Sequence, residues 1–340
     1  GKIDQALASL KKVTELNPEY ADGHNNLGVI LQDLGKFDES IGSFKTALSL
    51  KPKYSEAYNN LAITYRKNRN LEKSVNSSNK AILLNPNYAE AYNNLAITFK
   101  EQGKTNEAIE LFKKAISIKP NYAEVYYNMG IVYQEQNEIK IATELYMKTI
   151  QINPSYAEAY NNLATILKEQ GKTNEAIELF KKTISIKPNY AEAYYNMGKI
   201  QKEKNKFEES IEYYNKALSL KPDYAEAYYN IGIITQEQGK LEEAIDYFNK
   251  ALLIKPNYEK AQAQKLYQKA KICNWEKFRE DREIASKLGK LNHAIPPFTM
   301  LSFEDEPDSH LMRSQIYVKK NLYQKQIPLK KNTQFLKNKR

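Results

Sequence analysis

The 340-residue chain predicts an all-α protein, a solenoid of stacked helix pairs. Three observations carry this. A Pro-x-Tyr recurs at Pro18, Pro52, Pro86, Pro120, Pro154, Pro188, Pro222 and Pro256, and every step is 34 residues. Within the unit Ala89–Tyr122, apolar residues fall at Ala91, Tyr92, Leu95, Ala96 and Phe99, and again at Ala108, Ile109, Leu111, Phe112 and Ala115. Each set has the i, i+3, i+4, i+7 spacing of one helix face. Between the two stripes the chain must turn tightly, at Gly35, Arg69, Gly103, Asn137, Gly171, Asn205 and Gly239. All but Arg69 are residues that accept a left-handed helix end cheaply.

The elements follow in order. Gly1–Tyr20 reads as a half repeat, opening inside a second helix, so the chain is expected to be a piece of a longer one. Seven full repeats come next, at 21–54, 55–88, 89–122, 123–156, 157–190, 191–224 and 225–258. The copies at 89–122 and 157–190 differ only at Ile97/Thr165, Thr98/Ile166, Phe99/Leu167 and Ala115/Thr183. Repeat 55–88 diverges most, with Ser74 and Ser78 and a polar NSSNK run, and local looseness is expected there. Asn87, Asn121, Ser155, Asn189 and Asp223 each precede a glutamate by three residues, a capping-box spacing. Small residues at Gly28, Ala62, Ala96, Gly130, Ala164, Gly198 and Gly232 allow close helix approach. After Tyr258 the pattern weakens: Gln264 replaces an asparagine, and 259–290 reads as capping helices.

Composition bounds the function. The single Cys273 excludes an intrachain disulfide framework and fits a reducing compartment, cytoplasm or nucleus. No run of 18 apolar residues is present, so no membrane-spanning helix is expected. Three histidines and one cysteine, scattered, have no metal-site spacing, and no Gly-rich phosphate loop exists. No cofactor, metal site or catalytic residue is therefore expected. His24 takes the place of a packing tyrosine, His293 reads as a loop residue, and His310 as a residue before a helix. Residues 259–340 hold 18 Lys and Arg against 9 Asp and Glu, whereas 1–258 hold 33 against 32. The basicity is terminal and reads as a solvated chain end, with no nucleic-acid motif beside it.

One polar position stands out. Asn26, Asn60, Asn94, Asn128, Asn162, Asn196 and Asn230 occupy the same place in all seven first helices. Asparagine costs about 0.6 kcal/mol relative to alanine there. Two readings remain open. The amides form a ladder that pairs with the backbone of an extended protein or peptide, or each amide bonds a neighbouring repeat. Beside them Asn25, Asn59, Asn93 and Asn161 alternate with Tyr127, Tyr195 and Tyr229, as contact surface or as packing.

Tyr92, Leu95, Ala96, Phe99, Ala108, Phe112, Ala115 and Pro120 resemble the tetratricopeptide repeat (TPR) pattern. The resemblance implies a TPR α-solenoid, a right-handed superhelix whose first helices line a concave groove. Further on, Ile272, Cys273, Trp275, Phe278 and Arg282, followed by Pro-Pro-Phe-Thr-Met-Leu, resemble the join between TPRs and catalytic region in protein O-GlcNAc transferases. This second resemblance implies several things. The asparagine ladder would hold protein substrates for transfer of N-acetylglucosamine from UDP-GlcNAc to Ser or Thr. Residues 291–340 would begin the glycosyltransferase region. Cys273 and Trp275 would be packing anchors. This chain lacks the α/β lobes and would be inactive alone, and it has Ile295, Pro296, Pro297 and Phe298 where some members carry histidines. The rival reading is a stand-alone TPR adaptor. A second copy of the chain is a further candidate partner; membrane and nucleic acid are not expected.

Overall fold

The computed structural model describes residues 2–274, 278–289 and 307–321. These are helical, with no strand among them. Helix α1 (Lys2–Leu16) stands for the half repeat. The pairs are α2 (Ala21–Asp33) with α3 (Phe37–Leu50), α4 (Ser55–Lys67) with α5 (Leu71–Leu84), α6 (Ala89–Glu101) with α7 (Thr105–Ile118), and α8 (Ala123–Glu135) with α9 (Ile139–Ile152). Then come α10 (Ala157–Glu169) with α11 (Thr173–Ile186), α12 (Ala191–Glu203) with α13 (Phe207–Leu220), and α14 (Ala225–Glu237) with α15 (Leu241–Ile254). Helices α16 (Glu259–Lys271), α17 (Phe278–Lys287) and α18 (Pro307–Asn321) follow. The chain forms two compact units, Gly1–Leu179 and Phe180–Arg340.

All seven predicted turn residues adopt the left-handed conformation, Arg69 among them at φ 61°. A side chain there costs about 1 kcal/mol. The turn is held regardless, because Asn70 N–H reaches the Tyr65 carbonyl at 2.8 Å, as Lys36 N–H reaches Leu31 at 2.9 Å. Cys273, 34 residues after Gly239, repeats the device at φ 56°, with Asn274 N–H on the Lys269 carbonyl at 2.9 Å. Cys273 is exposed. It is therefore a helix-ending turn residue and not the packing anchor expected of it.

The capping boxes do not form. The first helices start one residue later than that spacing assumes, so Tyr54, Tyr88, Tyr122, Tyr156, Tyr190 and Tyr224 are the N-cap residues, with no side-chain cap. The glutamates instead reach the lysine that ends the second helix of their own repeat. Glu90 meets Lys119 at 2.7 Å and Glu226 meets Lys255 at 3.1 Å. Those lysines also lie over the turn tyrosine, Lys119 at 4.5 Å from the Tyr122 ring centre. Where asparagine replaces the lysine, it folds back on the turn, Asn85 accepting from Asn87 N–H at 3.2 Å and Asn153 from Ser155 N–H at 3.0 Å.

The core repeats with the sequence. In unit 1, Phe44, Phe112 and Tyr146 are fully buried, as are Phe180, Tyr214 and Phe248 in unit 2. Phe44, Phe112, Tyr146, Tyr214 and Phe248 each sit against the small residue of their first helix. A Cβ on Gly130 would lie 2.7 Å from the Tyr146 ring, and one on Gly198 2.7 Å from Tyr214. In repeat 55–88 this aromatic place falls to Ser78, fully buried, with its hydroxyl unpartnered. In unit 1 the first helices also touch the first helices of the next repeat, α2 on α4, α4 on α6, and α6 on α8. They form a contiguous row.

In unit 2, α16 and α17 continue the repeat's packing, with Ala263, Leu266, Ala285 and Leu288 as their core. Lys269 and Asp281 form a buried ion pair between them. Fully buried Arg313, on α18, caps the end of α17, donating to the Leu288 carbonyl at 2.8 Å and the Ala285 carbonyl at 2.9 Å. His310 lies inside α18, not before it. Trp275, His293 and Ile295–Phe298 lie outside the described residues.

Candidate interaction face

The ladder asparagines sit mid-way along the first helices. Asn26 is exposed; Asn60, Asn94, Asn128, Asn162, Asn196 and Asn230 are half-buried. The structure links most of them to the preceding repeat, always 35 residues back. Asn60 Nδ2 donates to Asn25 Oδ1 at 3.2 Å, Asn94 Nδ2 to Asn59 Oδ1 at 2.9 Å, and Asn128 Nδ2 to Asn93 Oδ1 at 3.1 Å. Asn162 Nδ2 lies 3.4 Å from the Tyr127 hydroxyl, and in unit 2 Asn230 Nδ2 donates to the Tyr195 hydroxyl at 3.1 Å. For Asn26, the position 35 residues back falls outside the 340 residues, and no such bond is seen among the described residues. So the inter-repeat reading of the ladder holds for five of its members.

The acceptors are the residues the sequence reading left undecided. Asn25, Asn59 and Asn93 are buried, at 1%, 4% and 1% exposure. A buried amide must be satisfied, and this orients it. Asn93 Nδ2 donates to Glu124 Oε1 at 3.2 Å, so its Oδ1 must face Asn128, which must present its N–H. The legible signal was the position before each ladder asparagine. It always holds Asn or Tyr, the two residues there that can accept and still pack.

Tyr127, Tyr195 and Tyr229 are packing residues. Tyr127 lies 4.9 Å from Tyr156 and 5.9 Å from Tyr146. Tyr195 lies 4.7 Å from Tyr224, and Tyr229 5.1 Å from Tyr258. Burial pushes the Tyr229 hydroxyl up to about 12, with Tyr195 adding to it. Tyr88 is likewise pushed up to about 12 by burial, then by Glu56 and Glu90, against the lowering hydrogen bond from Asn59.

A second inter-repeat ladder runs along the same row. Arg66 meets Glu101 at 2.9 Å and Lys100 meets Glu135 at 2.8 Å. In unit 2, burial pulls the Lys202 ammonium below its ordinary value, and Glu237 and Glu203 oppose that. His24 takes the tyrosine's role, as expected. Its Nε2 bonds the Pro18 carbonyl at 2.8 Å, where Tyr126 and Tyr194 hydroxyls bond Pro120 and Pro188 at 3.2 Å. Among the described residues no His, Cys, Asp and Glu cluster could hold a metal, and no helix is long and apolar enough to cross a membrane.

Family models for the TPR repeat match residues 1–35, 97–137, 164–204 and 202–239. Tetratricopeptide-repeat models match 21–54 and 225–258, 43–76, 78–110 and 145–178, and 123–156. No curated protein sequence matches the chain. Among solved structures, a chain of the APC/C hetero-tetramer Cut9–Hcn1 is similar, at 18% identity and TM-score 0.63, over 77% of this chain and 52% of that one. The chain thus spans about half the length of that neighbour. Pseudomonas aeruginosa pilF is similar at 20% identity and TM-score 0.57, over 64% of this chain and 97% of that one. MamA is 30% identical over 48% of this chain and 96% of that one, with TM-score 0.42. The repeat period, the buried aromatic column and the family models agree: the chain belongs to the tetratricopeptide repeat family.

Proposed function

We propose that this chain is a scaffold that binds a protein partner, in extended form, along the row of first helices. The observation that carries this is the ladder itself. A purely structural clamp needs one N–H from each asparagine, yet Asn60, Asn94 and Asn128 remain only half-buried and keep further polar groups. The similar Cut9–Hcn1 chain belongs to a protein assembly, which agrees with the reading. Within unit 1, Asn60, Asn94 and Asn128 are the ladder positions proposed to meet the partner.

The O-GlcNAc-transferase reading is the second one, and it rests on the Ile272–Arg282 run. It is weakened because Cys273 falls on the 34-residue turn position, which explains a left-handed residue there without a catalytic neighbour. The family models that match are models of the TPR repeat.

The test is selection of 12-residue peptides from a random library on the whole chain, followed by hydrogen-exchange footprinting. Protection concentrated on α4, α6 and α8 is expected. Protection confined to second helices, or no binding peptide at all, overturns the scaffold reading.

A further inference from the structure

We infer that the ladder of unit 1 is divided: Asn60, Asn94 and Asn128 grip the backbone of an extended basic segment, while Asn162 serves only as a clamp. This rests on the scaffold reading and deepens it.

The division follows from counting hydrogen-bonding groups. An asparagine amide offers two N–H groups and one oxygen. Asn60, Asn94 and Asn128 each give one N–H to the asparagine 35 residues back. That leaves each with one N–H and its Oδ1, a donor and an acceptor side by side. This is the pattern that pairs with the C=O and N–H of an extended chain. Asn162 differs. Its Nδ2 faces both the Tyr127 and Tyr146 hydroxyls at 3.4 Å, and its Oδ1 accepts from Asn161 at 3.4 Å. Both its N–H groups are engaged, so no donor remains beside the oxygen to complete the pair. The cause is the pair of tyrosines at 127 and 146, each of which turns its hydroxyl to the same amide.

Helix spacing adds the rest of the site. Residues at i, i+4 and i+7 share a face. Each open rung therefore lies on one stripe with an acid before it and an aliphatic after it: Glu56–Asn60–Ile63, Glu90–Asn94–Ile97 and Glu124–Asn128–Ile131. Ile63, Ile97 and Ile131 are half-buried, presenting part of their surface. At the closed rung the aliphatic becomes Thr165, whose hydroxyl turns back to the Asn161 carbonyl at 2.9 Å. The same repeat position loses both its free amide and its apolar contact.

Charge selects the occupant. Glu90 is neutralised by Lys119 at 2.7 Å. The lysine that would serve Glu56 is Asn85, and the one that would serve Glu124 is Asn153; both asparagines bond their own turn instead. Glu56 and Glu124 are exposed carboxylates without a cationic partner among the described residues. They flank the three open amides. A Lys or Arg side chain from an extended segment with aliphatic neighbours complements them.

The probe is a fluorescent (Val-Lys)6 peptide, titrated by anisotropy against the whole chain at moderate salt, with (Val-Glu)6 as control. The variant N60A/N94A/N128A should bind about a hundredfold more weakly, roughly fivefold per amide. E56Q/E124Q should lose a few-fold and flatten the salt dependence. N162A should change affinity less than twofold while lowering the melting temperature. N-methylation of alternate valine amides should weaken binding to the wild type and not to the triple variant, which a merely structural ladder would not produce. Equal binding of (Val-Glu)6, an unchanged triple variant, or a loss in N162A equal to that in N94A overturns the division. So does failure of (Val-Lys)6 to bind. If library peptides still footprint on the first helices, the scaffold reading survives that failure.

Discussion

Repeats 89–122 and 123–156 lie side by side in unit 1 and solve one packing problem with different residues. The first places Phe112 against Ala96, the second Tyr146 against Gly130. Phe112 is satisfied by contact alone. Tyr146 also carries a hydroxyl, which donates to Gln134 Oε1 at 2.7 Å and stands 3.4 Å from Asn162. The ladder acceptor changes with it, from Asn93 to Tyr127. The turn changes too, from Lys119 paired with Glu90 to Asn153 bonded to its own loop. The lesson is that the backbone period is fixed while the polar wiring is local. Replacing one ring with a hydroxylated one redirects the amides around it.

The largest expected effect breaks the aromatic column. Phe112→Ala empties a fully buried site and should cost about 3–5 kcal/mol. In the neighbouring repeat Gly130→Ala should cost about 1–3 kcal/mol, since the new methyl meets the Tyr146 ring at 2.7 Å. Urea unfolding of the whole chain measures both, and a neutral Gly130→Ala would refute the close approach. Because solenoid repeats lean on their neighbours, either variant should also loosen the adjoining repeats in hydrogen exchange.

Alkaline pH sharpens the comparison next. Tyr88 stands at about 12 in the folded chain against an ordinary 10.0. Burial raises Tyr127, Tyr146 and Tyr156 as well. For such groups the folded state holds its proton longer than the unfolded one. Their stabilisation is complete below pH 10 and is lost as pH rises towards about 12. Melting followed from pH 8 to 12 should fall steeply above 10. Tyr127→Phe should flatten that fall, and an unaltered slope would contradict burial as its cause.

The rungs themselves come third. Asn93→Ala strips the acceptor from Asn128 and the donor from Glu124 inside a buried site, and should cost about 1–3 kcal/mol. Tyr127→Phe keeps the ring stacked on Tyr156 and removes one long hydrogen bond, so at pH 7 it should cost less than about 1 kcal/mol. Equal losses would mean that the two rungs are the same device. Smallest is Lys119→Asn, which converts one turn chemistry into the other. Its ion pair is half exposed, so a change below about 0.5 kcal/mol in denaturant midpoint is expected.

Much of this was legible in the sequence. The period located every helix pair of the repeats and the seven left-handed turns within them, Arg69 included by register though not by residue type. It also placed the seven asparagines on one face. The capping boxes were misread because the spacing Asn-x-x-Glu is shared by a real cap and by a turn that ends one residue later. The glutamate's true partner, Lys119 for Glu90, is 29 residues away and on another helix. Cys273 was read as part of a motif, although its distance from Gly239 already assigned it to a turn.

What the sequence determined by itself is the fold and its register, since a 34-residue period of apolar stripes and turn residues leaves one way to bury each stripe: against the next. What only the tertiary structure decided is which polar atoms are already used. Asn128 and Asn162 are identical letters at identical places in the repeat. One keeps an N–H and an oxygen for a partner, and the other does not, because the residue 35 positions back and the ring behind it differ. Hydrogen bonding is directional and saturable, so its outcome depends on neighbours brought together by packing and not on the residue's own position in the chain.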